Sequence, residues 1–582
     1  MNLPLRLSRI AMRLTVSSLL CATPAFTAQA GDGAAPSPAQ ASEEYAQLVR
    51  AEARRLAVAN AGPDDLRQAV ERLEALLTYL ATPLSRDLAV GLLPLHMRPL
   101  DIQLDLAAIH ARLGNKDQAL TALEATQRYA WLDLAAAPLL GRADFDAIRT
   151  EPRFQAILAT ARVPAMAMKD TGADAPYSER LSVEQRIAGL SQFWSEAREY
   201  FVHFDAVPDL DWNQAYRDFL PKVMAAETTA EYYRILMQFA PLLRDGHTNI
   251  YAPEELGDRF YARPPIETAL VGDTVMVTAV RSPALARRLA IGDEIVAIDG
   301  LPVGQHVLEK VAPFVSSSTA QDRSLRMYSY QLLTGDASVL IRLALRDSRG
   351  RTREEIVARA GYTDTETHAP FAFRMLRGDI AYFSLDHFES DAGVAAFERA
   401  LPQIMQAKGL VIDVRRNGGG STAYGERILA HLTDKPIPHT MSLIRDNRSA
   451  GDGPPVMRWT APHAFRATPR PQADIFKGRV VVLTSERTFS AGEDFVLAFN
   501  ALERGKTIGA TTGGSTGQPK FFALPGGGTA RICAKRDLLP DGSRLVGKGI
   551  APDIDSAPTV RSIRDGSDPA LERALAQLNP RS

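Results

Sequence analysis

Hydrophobic spacing divides the chain into stretches of different character. From residue 43 to about 165, apolar positions recur at helical intervals among Ala, Leu, Arg and Glu, which predicts a helical region. Helical spacing returns over 178–255, now with Phe193, Trp194, Tyr200, Phe201, Trp212 and Tyr216, and gives way at the turn Asp245-Gly246-His247. Over 262–360 the pattern becomes that of strands, at 274–280, 291–303 and 339–346. From 370 to 560 strands and helices alternate, with strands at 380–385, 409–414 and 480–483 and a helix around 393–406, which predicts an α/β domain. The small, Pro-containing stretch 31–42 predicts a disordered linker, and 561–582 a tail carrying one terminal helix.

Two strand ends in the α/β stretch carry candidate chemistry. Val480-Val481-Val482-Leu483 is short and β-branched, as suits a strand covered on both faces, and a polar turn leads from it to Ser490. Ser490 occupies an N-cap position, with Glu493 three residues on and Phe495, Val496 and Phe499 at helical spacing. A hydroxyl at the positive end of a helix suits a nucleophile whose attack creates an oxyanion; the same spacing also serves a plain capping box. The second strand, 409–414, runs into Asn417-Gly418-Gly419-Gly420, where bare backbone N–H groups can cradle an anion.

Several chemistries are excluded by pattern. The run 542–549 lacks the Ser or Thr that a phosphate-binding loop needs after Lys548, and no dinucleotide fingerprint follows a strand. The ten histidines are scattered and no Cys-x-x-Cys occurs, so no metal or other cofactor is expected. Thr488 stands where the α/β-hydrolase elbow would need its first glycine. His247, on a loop, is a candidate base.

Charge and the N-terminus add a setting. A net charge of −1 with no long like-charged run gives no reason to expect nucleic acid as a partner. Arg6, Arg9 and Arg13 precede an apolar stretch too short to span a membrane, followed by Ala28-Gln29-Ala30; this predicts a signal peptide over 1–30, cleaved after Ala30, and a periplasmic or secreted protein without a membrane span. Cleavage would shift the net charge to about −4 and leave Cys533 as the single cysteine, so the fold is expected to rely on packing.

The order of motifs resembles peptidase family S41, the tail-specific and tricorn-like serine proteases. The resemblance rests on Asp245-Gly246-His247-Thr248, Asp413-x-Arg415-x-Asn417-Gly418-Gly419-Gly420, Thr488-Phe489-Ser490-Ala491-Gly492-Glu493 and Gly549-Ile550-Ala551-Pro552-Asp553. Gly292-Asp293-Glu294-Ile295 with the Asp299-Gly300 turn resembles a PDZ-like domain, which takes an extended peptide at its sheet edge. The stretch 106–124, with Gly114-Asn115 at its turn, resembles a tetratricopeptide-type hairpin, which would make 43–165 a docking region for an adaptor; an ordinary helical hairpin fits as well. The implied architecture is multidomain α/β: an N-terminal helical region, then a PDZ-like β domain inserted before a crotonase-like α/β protease core.

The family resemblance implies hydrolysis of a polypeptide substrate by Ser490 as nucleophile, with the N–H groups of Ala491 and Gly419 as oxyanion hole. The tail-specific subtype takes its base from a lysine about 25 residues beyond the serine. Here that neighbourhood is Gly513-Gly514-Ser515, and Lys520 reads as a solvated side chain. The tricorn-like subtype takes a histidine, which makes His247 the expected base. That subtype tends to carry a glutamate shortly before Gly-Ile-Ala-Pro-Asp, where this chain has Leu545-Val546-Gly547-Lys548. Glu493, Asp494 and Asp541 are the candidates for orienting His247. A peptide-binding scaffold of the same fold with weak or lost chemistry, and a serine esterase, are the alternative readings.

Overall fold

The computed structural model describes residues 38–58, 60–89, 93–126, 141–161, 175–361, 369–438, 440–446, 456–460, 475–539 and 542–579. The expected signal peptide and Asp541 lie outside the described residues. The chain divides into two units, residues 1–169 and 170–582.

The first unit is helical among its described residues. Helices Pro38–Leu56, Pro63–Leu80, Leu93–Arg112 and Lys116–Thr126 share a core that includes Leu73, Ile102, Leu120 and Phe154. The stretch expected to be linker already begins the first helix at Pro38, a residue whose fixed φ suits the first helical position. The turn at 113–115 is made by Gly114 at φ 77°, and the helices on either side of it form the hairpin.

The second unit is built on a six-stranded sheet. In sheet order its strands are Ile554–Asp555, Gly505–Gly509, Arg479–Thr484, Gly409–Asp413, Ile380–Leu385 and Phe371–Leu376. The first five run parallel, and Phe371–Leu376 pairs antiparallel at the edge. Side chains alternate between two buried faces. Leu410, Ile412, Val480 and Val482 pack under helices Ala392–Ile404, Thr422–Leu429 and Ala491–Ala501. Val411, Val481 and Leu483 pack instead against Ala570, Ala574 and Leu578 of the helix Pro569–Leu578. Double coverage is why these strands read as continuous apolar runs.

The terminal stretch therefore differs from the single helix expected. Gly566, at φ 67°, ends a first helix, Val560–Asp565, and Asp568 caps a second, which closes one face of the sheet.

Two further parts adjoin this sheet. Helices Val183–Tyr200, Trp212–Ala225 and Thr229–Phe239 pack around Phe193, Trp212 and Phe239, and share that core with Leu524, Ala530, Ile532 and Cys533. Residues 266–357 form an antiparallel sheet in the order Ile266–Val271, Thr274–Val280, Glu294–Ile298, Ile341–Arg346 and Thr352–Val357, with Leu301–Pro302 paired beside Glu294–Ile298. Asp299 and Gly300 both have positive φ, as a tight hairpin turn requires. The flanking strands 266–271 and 352–357 were not singled out from sequence. Neither was the helical connection 303–330 between the paired strands.

Candidate active site

Strands Gly409–Asp413 and Arg479–Thr484 are parallel neighbours, so their carboxyl ends lie side by side, where open α/β sheets carry their binding crevices. The loops beyond them are stitched together: Phe489 N–H donates to Asn417 O at 2.9 Å, and Thr488 Oγ1 to Val414 O at 2.8 Å. This holds Ser490 against the glycine turn. A Cβ on Gly419 would come within 2.6 Å of Ser490 Cβ, so the close approach requires glycine, as does φ 103°. Ser490 opens the helix Ala491–Ala501 at φ 55° and ψ −126°, a conformation that costs a non-glycine residue of order 1–3 kcal/mol.

The histidine arrives from the helical part. Arg244, in the left-handed region, ends a short helical turn, and Asp245-Gly246-His247 leads into the strand Asn249–Tyr251, which pairs with Gly528–Cys533. His247 Nε2 lies 3.1 Å from Ser490 Oγ, and its ring stacks on Phe489 with centroids 4.8 Å apart. His247 is 3% exposed; burial, with Arg531 and Arg326 nearby, holds its imidazole well below the ordinary range and so neutral. Ser490 is only partly buried and lines a cavity of about 830 Å³ with His247, Phe489 and Gly418–Gly420.

The other expected participants are placed as follows. Ala491 N–H has no acceptor among the described residues and opens the helix beside Ser490. Gly419 N–H instead donates to Asn417 Oδ1 at 3.0 Å, so it is engaged within its own turn. Glu493 is fully buried but does not meet the imidazole. Its carboxylate accepts from Thr512 Oγ1, Gly514 N and Ser515 N, and from Ser490 N at 3.3 Å. Burial pushes this carboxyl up to about 7 against the pull of those donors. Asp494 accepts from Thr422 Oγ1 and Thr516 Oγ1, and burial beside Asp537 raises it to about 6. Lys520 pairs with Glu196 at 2.7 Å.

At His247 Nδ1 stands a residue that sequence reasoning passed over. Ser515 Oγ is 2.9 Å away and buried. It lies 3.1 Å from Ser318 Oγ, which donates to Asp245 Oδ1 at 3.2 Å and accepts from Gly246 N–H at 2.9 Å. The other oxygen of Asp245 accepts His247 N–H and the Thr248 hydroxyl.

His203, Asp245 and Cys533 are the described residues whose donor atoms come close enough to hold a metal, within 4.8 Å of one another. Burial pushes the Cys533 thiol far up, which keeps it neutral.

The site and its sheet match known proteins. Residues 379–556 match peptidase family S41. The tricorn protease of Thermoplasma volcanium is 25% identical over 317 residues, covering 51% of this chain and 26% of the relative. Tricorn protease homolog 1 of Streptomyces coelicolor is 27% identical over 202 residues, 34% of this chain and 17% of the relative. The chain thus spans about a quarter or less of the length of these curated relatives. The structure of mature CPAF complexed with lactacystin superposes with a TM-score of 0.54 at 16% identity, over 68% of this chain and 99% of that one, a likeness of fold. The likeness to peptidase family S41 therefore rests on residues 379–556, under a third of the chain.

Proposed function

We propose that the chain hydrolyses peptide bonds as a serine endopeptidase or carboxyl-terminal processing peptidase, with Ser490 as nucleophile and His247 as general base. The observation that carries this reading is the 3.1 Å contact of His247 Nε2 with Ser490 Oγ beside the glycine turn. As Ser490 Oγ attacks the scissile carbonyl, its proton passes to Nε2; the carbonyl oxygen gains charge facing Ala491 N–H. Collapse returns that proton to the leaving amine, and water then repeats the sequence on the acyl-enzyme. Gly419 N–H is the second donor to the oxyanion once it exchanges Asn417 Oδ1 for the substrate oxygen.

The finer features fit the same reading. The antiparallel sheet at 266–357 is a PDZ-like module that takes an extended stretch of the polypeptide substrate. The hairpin region of the first unit is a docking surface for an adaptor, and the working compartment is the periplasm or exterior. No helix among the described residues is long and apolar enough to cross a membrane.

A fluorophosphonate probe tests the chemistry. Wild-type protein is expected to be labelled, Ser490→Ala not at all, and His247→Ala about 10²- to 10⁴-fold more slowly. Absence of Ser490-dependent labelling would leave the scaffold reading. Labelling with turnover of small esters but of no peptide would favour the esterase.

A further inference from the structure

We infer that Ser515 and Ser318 are positioning residues that orient His247 and connect it to Asp245, in the place where an orienting carboxylate would otherwise stand. The inference rests on the reading of Ser490 and His247 given above.

The contacts and the role of the base together set the proton positions. Ser318 has a single hydroxyl proton, and its strongest acceptor is the carboxylate of Asp245, 3.2 Å away. Gly246 N–H donates to Ser318 Oγ, and the Ser318 hydroxyl is shared between Asp245 Oδ1 and Ser515 Oγ, which accepts at 3.1 Å. Ser515 Oγ keeps a second lone pair for His247 Nδ1 at 2.9 Å, and a general base at Nε2 needs the ring proton on Nδ1, where Ser515 Oγ accepts it. Nε2 then presents a lone pair to Ser490 Oγ–H, as a general base must. When Nε2 takes the proton, both ring nitrogens carry hydrogen, and Ser515 Oγ already accepts from Nδ1, so no bond has to reorient to meet the new charge.

Burial and crowding fix the arrangement. Asp245, His247 and Ser515 are each no more than 3% exposed. Glu493 holds Ser515 by its N–H, and Ser490 N–H donates to Ser515 O at 3.1 Å, so nucleophile and positioning serine are tied to each other by their backbones. A Cβ at Gly246 would fall 3.1 Å from Ser515 Oγ, a close approach that a side chain there would crowd. Ser318 belongs to the connection that crosses from the antiparallel sheet. That connection is anchored by Thr319 Oγ1 to Gly513 O and by Gln321 Nε2 to Thr512 O and Lys548 O.

The test combines kinetics with direct observation of the ring. Ser515→Ala is expected to slow fluorophosphonate labelling by about 10- to 100-fold, less than the roughly 10⁴-fold loss where a carboxylate is the partner removed. Its acid limb moves to lower pH, because the imidazolium loses an acceptor. Ser318→Ala slows labelling less, and the double variant is no slower than Ser515→Ala alone, since both act through one chain. Circular dichroism and melting of each variant check that it folds. Nitrogen-15 histidine spectra of the full chain, with His247 assigned by difference against His247→Ala, are expected to show Nδ1 protonated and Nε2 bare. That spectrum stands whether or not the protein is active, so loss of all labelling would strike the peptidase reading separately. A proton on Nε2 in the wild type, or Ser515→Ala labelling at the wild-type rate with an unmoved acid limb, would overturn the assignment.

Discussion

Ser490 pays for its reach in backbone strain. At φ 55° and ψ −126° its conformation is one that glycine adopts freely. Ser490→Gly is therefore expected to raise the stability of the second unit by about 1 kcal/mol relative to Ser490→Ala, read as a higher melting midpoint. His247 makes the matching statement in pH. Its folded-state pKa is depressed, chiefly by burial, so the base stays neutral below its ordinary 6.5. The acid limb of kcat/KM is expected below pH 6.5. The same shift has a cost in stability: as pH falls from about 6.5, the unfolded chain takes up a proton that the folded one refuses, and folding weakens from there down to the folded pKa. These residues were legible in sequence because each is announced locally, by a strand end, a glycine run or an Asp-Gly turn. Ser515 was not: a serine within Gly-Gly-Ser-Thr reads as a loop, and its partner is 268 residues away. Glu493 was legible as a capping residue, but its place in the first helical turn sends its carboxylate to the backbone of Ser490 and the 512–515 loop.

Among elements, the helix Pro569–Leu578 shows what a coarse pattern misses. Its Ala570, Ala574 and Leu578 complete the second face of the sheet, although the stretch reads in sequence as a tail. Apolar residues at helical spacing predict a helix there, but nothing local predicts which surface it covers. Asp568, at its N-cap, takes two bonds of 2.8 Å from Arg415, which also binds Asp413 at the end of the central strand. Asp568→Ala is expected to destabilise the second unit by about 1–3 kcal/mol, toward the low end because Arg415 keeps Asp413 and the pair is partly exposed. Denaturant unfolding measures it, with the Ser490 labelling rate at low denaturant expected to stay near wild type.

In the molecule as a whole, the proposed nucleophile, its proposed base and the hydroxyls behind that base come from four separate segments: residues 245–247, Ser318, Ser490 and Ser515. This spacing governs timing. A chain that is still unfolded, or has been cut within the 303–330 connection, holds a serine but no aligned imidazole, and the serine alone is a poor nucleophile. On the proposed reading, hydrolytic competence needs all four segments docked together. On that reading, an unfinished copy would hold the reactive serine without the base that activates it.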